Sequence, residues 1–233
     1  MSEPNDKLIS RDLSPQLISI MTTEHYNLQS GRASTISDTS SRASLFLGTV
    51  STTLVAVAFV GQISRLGLAF FVFSLILFPT LFFLGLVTFE RTLQSSIEDT
   101  VYARGINRIR HLYLEYAPDM RRYFVLSDHD DLAGMMMSAG MRQGEGQLLL
   151  STPGTIAVIN SVIGATTLGL LLYVLCVVLL PALLPFSLWL CVGAGIAFFL
   201  ASVNWHQRYQ SRQRGLAMQR VPSVFPSQVE DAG

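Results

Sequence analysis

Sixty consecutive residues, Gly146 to Trp205, contain no Asp, Glu, Lys, Arg or His. Two shorter stretches also lack charge: 22 residues between Arg42 and Arg65, and 24 between Arg65 and Glu90. A hydrocarbon layer about 30 Å thick is crossed by roughly 20 apolar residues in a helix rising about 1.5 Å per residue. Each shorter stretch is long enough for one crossing and the longest for two. Helices in soluble cores commonly run to about 10–14 residues and keep a polar edge, which argues against a soluble fold. The sequence therefore predicts an all-α membrane protein with four transmembrane helices, at residues 43–62, 66–89, 155–180 and 186–204. Its first partner is the lipid bilayer.

The segments between and beyond the spans differ in pattern. Residues 1–22 mix Pro4, Pro15 and scattered charges without a period and are expected to be a disordered tail. A helix is expected from Thr23, capped by Thr22 or Thr23. No proline occurs between Pro15 and Pro79, so this helix can run into the first span. About 42 mostly polar residues precede that span, which reads as an internal signal anchor and not a cleavable signal peptide. Gly61 to Arg65 should form a tight turn, and Pro79 should kink the second span. Beyond the bilayer Leu93, Ile97, Val101, Ile106, Ile109 and Tyr113 recur at helical spacing between charged residues, until Pro118 stops the pattern. Residues 23–117 thus read as a helical hairpin whose first two spans extend into the cytoplasm. Residues 118–150 read as a cytoplasmic loop with a short helix from Leu132 to Met141, ended by Gly144 and Gly146. Pro181 and Pro185 bracket the turn between the last two spans, and residues 206–233 form a cytoplasmic tail that ends disordered.

Positive charge sets the orientation, because Lys and Arg near span ends are retained on the cytoplasmic side. Four lie before the first span, seven between the second and third, and four after the last. The two short turns hold only Arg65. Both termini and the long loop are therefore expected in the cytoplasm, which leaves little chain outside to bind an extracellular ligand.

Few residues carry recognisable chemistry. No ionisable group lies within the spans, which argues against proton-coupled carriers and voltage sensors. Asn160 is the most polar intramembrane residue and shares a helical face with Gly164 and Thr167. That face suits contact with a neighbouring helix, with a pore or ligand pocket as the alternative. Small residues recur at fourfold spacing at Gly48, Thr52 and Ala56 and again at Gly193, Ala197 and Ala201, a pattern that lets helix backbones approach closely. Cys176 and Cys191 fall inside spans and read as packing residues. Asp128, His129, Asp130 and Asp131 are the one run of metal-ligand type; the run reads first as a helix start with acids at the positive end of the dipole, with a metal site as the alternative. No spacing brings His25, His111 and His206 together. Arg104, Arg108, Arg110, Arg121 and Arg122 are expected to pair with Glu98, Asp99, Glu115 and Asp119, with anionic lipid headgroups as the alternative. With no nucleophile motif, phosphate loop, CxxC pair or HExxH helix, the sequence implies neither an enzyme nor a cofactor. Zero net charge gives no reason to expect nucleic acid.

The run Glu24-His25-Tyr26-Asn27-Leu28-Gln29 with Arg32, and Arg42-Ala43-Ser44-Leu45-Phe46-Leu47-Gly48 entering the first span, resembles a group of uncharacterised bacterial integral membrane proteins. Arg108-Ile109-Arg110-His111, Tyr123-Phe124-Val125-Leu126-Ser127 and His129-Asp130-Asp131 are similar to theirs as well, so the resemblance covers residues 24–205. It implies a multi-pass protein of the bacterial inner membrane and carries no assigned activity. The cytoplasmic helix followed by two spans also resembles the two-span SLATT effectors of bacterial defence systems, which are proposed to form pores; this chain has four spans. The expected role is a non-enzymatic component that binds a cytoplasmic protein or forms a homo-oligomer, with a small channel or pore-forming effector as the alternative.

Overall fold

The computed structural model describes residues 14–138, 147–179 and 185–227. Among these residues there is no strand. The elements are α1 (Pro15–Ile63), α2 (Leu68–Tyr116), a 3-10 turn (Pro118–Tyr123), α3 (Leu132–Ser138), α4 (Gln147–Leu150), α5 (Thr152–Leu179) and α6 (Ser187–Arg220). Helices α1, α2, α5 and α6 are each long and apolar enough to cross a membrane, and the chain is a multi-pass helical membrane protein.

Helix α1 begins eight residues before the expected Thr23. Ser14 caps it: the Leu17 N–H donates to Ser14 Oγ at 3.2 Å, and Pro15 occupies the first helical position, where a missing N–H loses no bond. Part of the segment read as a disordered tail is therefore helix, while residues 1–13 lie outside the described residues. At the other end Leu66 N–H reaches Gly61 O at 2.9 Å and Arg65 N–H reaches Gln62 O at 3.3 Å, the two bonds of a Schellman stop. The turn that follows puts Arg65 (φ 49°) and Leu66 (φ 56°) in the left-handed region without a glycine at either position. Helix α2 then runs as one element through Pro79 to Tyr116, and Pro118 opens the 3-10 turn.

Contacts divide the chain into two compact units. The larger comprises residues 34–98 and 144–221 and contains the apolar parts of all four long helices. Its core packs Phe46 and Val57 of α1, Phe78, Leu81, Phe89 and Leu93 of α2, and Ile156, Ala157 and Ile163 of α5. Val55, Phe59, Phe83, Leu188 and Trp189 instead point outward. Buried interior positions include Ser74, Asn160, Ser161, His206 and Gln210. Large apolar groups facing outward, with polar groups set among an apolar core, is a distribution that a lipid solvent permits.

The smaller unit comprises residues up to 33, 99–143 and from 222 onward. Here the start of α1 lies against the end of α2. Leu28 packs over Gly105, where a Cβ would sit 3.0 Å from the leucine methyl, and Arg32 Nε pairs with Asp99 Oδ1 at 2.8 Å. Helix α6 continues well past the expected end of its span, to Arg220. The segment after it is not free: residues 222–227 dock within this smaller unit.

Candidate functional site

One face of α2 organises the smaller unit. The adjacent Asn107 and Arg108, with His111 one turn later, meet the loop at residues 127–130. Asn107 Nδ2 donates to the His129 carbonyl at 2.7 Å, and Arg110 Nη1 to the Ser127 carbonyl at 3.4 Å. The loop holds its own shape as well. His129 N–H donates to Ser127 Oγ at 3.1 Å, and Asp131 Oδ1 caps α3 by accepting from Gly134 N–H at 2.8 Å.

The four-residue run Asp128 to Asp131 is divided by this packing into two functions. Asp130 is fully buried and holds the carboxyl-terminal segment. It accepts from Val224 N–H at 3.1 and 3.0 Å, Phe225 N–H at 2.8 Å, Ser223 Oγ at 2.5 Å and Arg108 Nε at 2.7 Å. Its own N–H donates to the Phe225 carbonyl at 3.2 Å, and Arg108 donates to the Pro222 carbonyl. Burial pushes the Asp130 carboxyl up, but the bonds from Ser223, Val224, Arg108 and Phe225 outweigh it and hold the group well below the usual carboxylate range. Asp131 does the same for Ser227, accepting from its N–H at 3.0 Å and from its hydroxyl. With their oxygens so engaged, Asp130 and Asp131 serve as a clasp, and the helix-start reading of the run applies to Asp131.

Asp128 and His129 belong elsewhere, beside a histidine that sequence spacing had left alone. His111 Nδ1 lies 3.2 Å from Asp128 Oδ2, and His129 Nε2 lies 3.8 Å from Asp128 Oδ1. The Phe225 ring stacks on His111 with centroids 4.0 Å apart, and Glu115 Oε1 stands 3.7 Å from His111 Nε2. Together with Arg121 and Leu114 these groups line an open cleft. Burial raises the Asp128 pKa, but its own backbone N–H, His129 and Arg121 bring it below the ordinary value. The spacing of 17 residues between His111 and Asp128 matches no local motif. The available signal was the recurrence of Arg104, Arg108 and His111 on one face of α2, the face that receives the loop.

The arginines also pair differently from the local arrangement expected. Arg108 takes Asp130 and Arg121 takes Asp128 at 3.1 Å, while Asp99 takes Arg32. Arg108 takes the distant Asp130 because the loop folds back onto α2.

In the larger unit Asn160 is fully buried and its amide reaches no hydrogen-bond partner, its Oδ1 lying against the backbone of Gly85. A Cβ on Gly85 would come within 2.0 Å of that oxygen. Gly164 is crowded by Phe198 and Phe82, and the Thr167 hydroxyl bonds back to Ile163 O at 2.7 Å. Asn160 and Gly164 therefore sit in helix contacts. Next to them a polar seam along α6 meets α5 at Ser161 and the chain just before α5 at Ser151. Ser161 Oγ meets Ser202 Oγ at 2.8 Å, His206 Nδ1 meets the Ser202 carbonyl at 2.8 Å, and Gln210 Nε2 donates to Ser151 Oγ at 3.2 Å. The small-residue stripes are placed differently. Gly48 and Gly193 have nothing within reach of a Cβ, and Thr52, Ala197 and Ala201 are exposed. Neither stripe is filled by another helix of the same chain among the described residues.

No family model matches the chain, and no curated protein or solved structure matches it.

Proposed function

We propose that the protein is a non-enzymatic membrane component whose smaller unit docks a cytoplasmic protein or a second copy of the chain. One observation carries this reading. Between residues 120 and 137 the unit exposes Met120, Tyr123, Val125, Leu126, Leu132 and Met137, with Val125 95% exposed. This stretch lies outside the four apolar spans, and exposed apolar groups concentrated in one region mark interaction surfaces. Arginine counts put the stretch on the cytoplasmic side. The open stripes at Gly48 and Gly193 support self-assembly within the bilayer, because small residues let helices of separate copies approach.

The test is site-specific crosslinking in native membranes from a photoreactive residue at position 125, compared with one at the outward-facing position 83. Adducts of defined mass from position 125 alone support the docking role, and an unmodified monomer from both positions refutes it. The pore-forming alternative draws on Asn160, whose amide is buried without a partner. The packing of Gly164 against Phe82 and Phe198 favours the helix-contact reading of the same face. Ion leak from cells expressing the protein at high level should therefore match that of cells lacking it.

A further inference from the structure

We propose that His111, Asp128 and His129 form a binding site for a divalent first-row transition ion, zinc by preference, with at least one coordination position open to the cleft. Each residue offers one ligand atom, and these atoms lie within 4.8 Å of one another. In a tetrahedral zinc site with bonds of about 2.0–2.1 Å, neighbouring ligand atoms stand about 3.3 Å apart. His111 Nδ1 stands 3.2 Å from one Asp128 oxygen, Oδ2, and His129 Nε2 3.8 Å from the other, Oδ1, so the carboxylate lies between the two imidazoles at separations near that value. Small side-chain rotations therefore suffice to close the triad around an ion.

Three further features favour an ion over a hydrogen-bonded trio. The first is the His129 ring. Its Nε2, the nitrogen that faces Asp128, stands 3.8 Å away and beyond hydrogen-bond range, so no internal bond occupies it. The second is Glu115. With His111 Nδ1 on an ion, the opposite ring nitrogen faces Glu115 Oε1 at 3.7 Å, the carboxylate–histidine–metal order that orients ligating imidazoles. The third is the competitor. Arg121 now neutralises Asp128, but two-thirds of the arginine side chain is exposed, so its water-filled surroundings can take the guanidinium back. The guanidinium can swing into solvent when a cation arrives. Two imidazoles with one carboxylate suit zinc and its neighbours and disfavour calcium and magnesium, which prefer oxygen donors throughout.

The site has a structural consequence. Phe225 stacks on His111, so an ion at the triad would fix the ring against which the carboxyl-terminal segment rests. The inference stands apart from the docking role, since either can hold without the other.

The experiment uses the full-length protein in detergent, free of any affinity tag and stripped with a chelator. Cobalt(II) is titrated as a visible probe, followed by zinc. One cobalt per chain with intense bands in the visible, displaced by one equivalent of zinc, is the expected result. His111→Ala, His129→Ala and Asp128→Asn should each weaken binding at least tenfold, and Glu115→Gln about tenfold. No stoichiometric uptake by the unsubstituted protein overturns the proposal whatever the variants do. Uptake that all three ligand substitutions leave unchanged overturns it too.

Discussion

Replacing Asp130 with alanine should release residues 222–227 from the smaller unit while leaving the long helices intact. The carboxylate receives bonds from Ser223, Val224, Phe225 and Arg108. Hydrogen bonds to a charged group contribute about 1.5–3 kcal/mol each, so the three that come from the segment, at Ser223, Val224 and Phe225, are worth about 4.5–9 kcal/mol together, while the Arg108 bond from α2 remains when the segment leaves. Ordering six residues of backbone costs about 1–2 kcal/mol each, a sum of similar size. The surplus that keeps the segment docked then comes from Ser227 on Asp131, Arg108 on the Pro222 carbonyl and the Phe225–His111 stack. That surplus is only a few kcal/mol, so removal of the Asp130 carboxylate leaves the ordering cost uncovered. A loss of about 3 kcal/mol is more than a hundredfold in the docking equilibrium. Hydrogen exchange resolved at the Val224 and Phe225 amides reads it directly. Both amides should exchange at least a hundredfold faster in Asp130→Ala, with protection in the spans of α5 and α6 unchanged. Equal protection of the two amides in the variant and the parent would refute the reasoning.

Two further substitutions test the larger unit. Gly85→Ala drives a methyl into Asn160 Oδ1 and should destabilise the protein by about 1–3 kcal/mol in reversible unfolding from detergent, while Asn160→Ala in the same chain should restore most of the loss. Additive effects of the two changes would show that the residues do not touch. Arg65→Gly should raise stability by about 1 kcal/mol, because glycine adopts the left-handed turn without the Cβ penalty. A lower melting temperature for this variant would contradict the turn geometry.

The fold was legible wherever a single physical rule decides it. Hydrocarbon thickness selects the four spans from charge-free length alone, and Pro118 stops α2 because its ring cannot continue the helix. Ser14-Pro15 was also legible as a cap followed by a proline at the first helical position, but the prolines and scattered charges around it read as disorder. The site was less visible. Asp128 and His129 stood out as a local run, while His111 joins them only because Asn107 and Arg110 pull the loop backbone onto α2. Contacts of that kind between distant segments leave no periodic trace in a sequence. The partner of Asp130 was hidden for the same reason: Val224 and Phe225 bind it through backbone N–H groups, which every residue except proline carries.

A four-span chain with its arginine-rich segments in the cytoplasm exposes its short turns outside and its long loop inside. Cysteine labelling in intact cells tests this arrangement most directly, with Cys176 and Cys191 replaced by alanine and a single cysteine placed at Ser64 or at Val125. A membrane-impermeant maleimide should label Ser64→Cys in intact cells, and Val125→Cys only after the membrane is opened. Labelling of Val125→Cys in intact cells, with Ser64→Cys protected until permeabilisation, would contradict the orientation and the cytoplasmic role built on it.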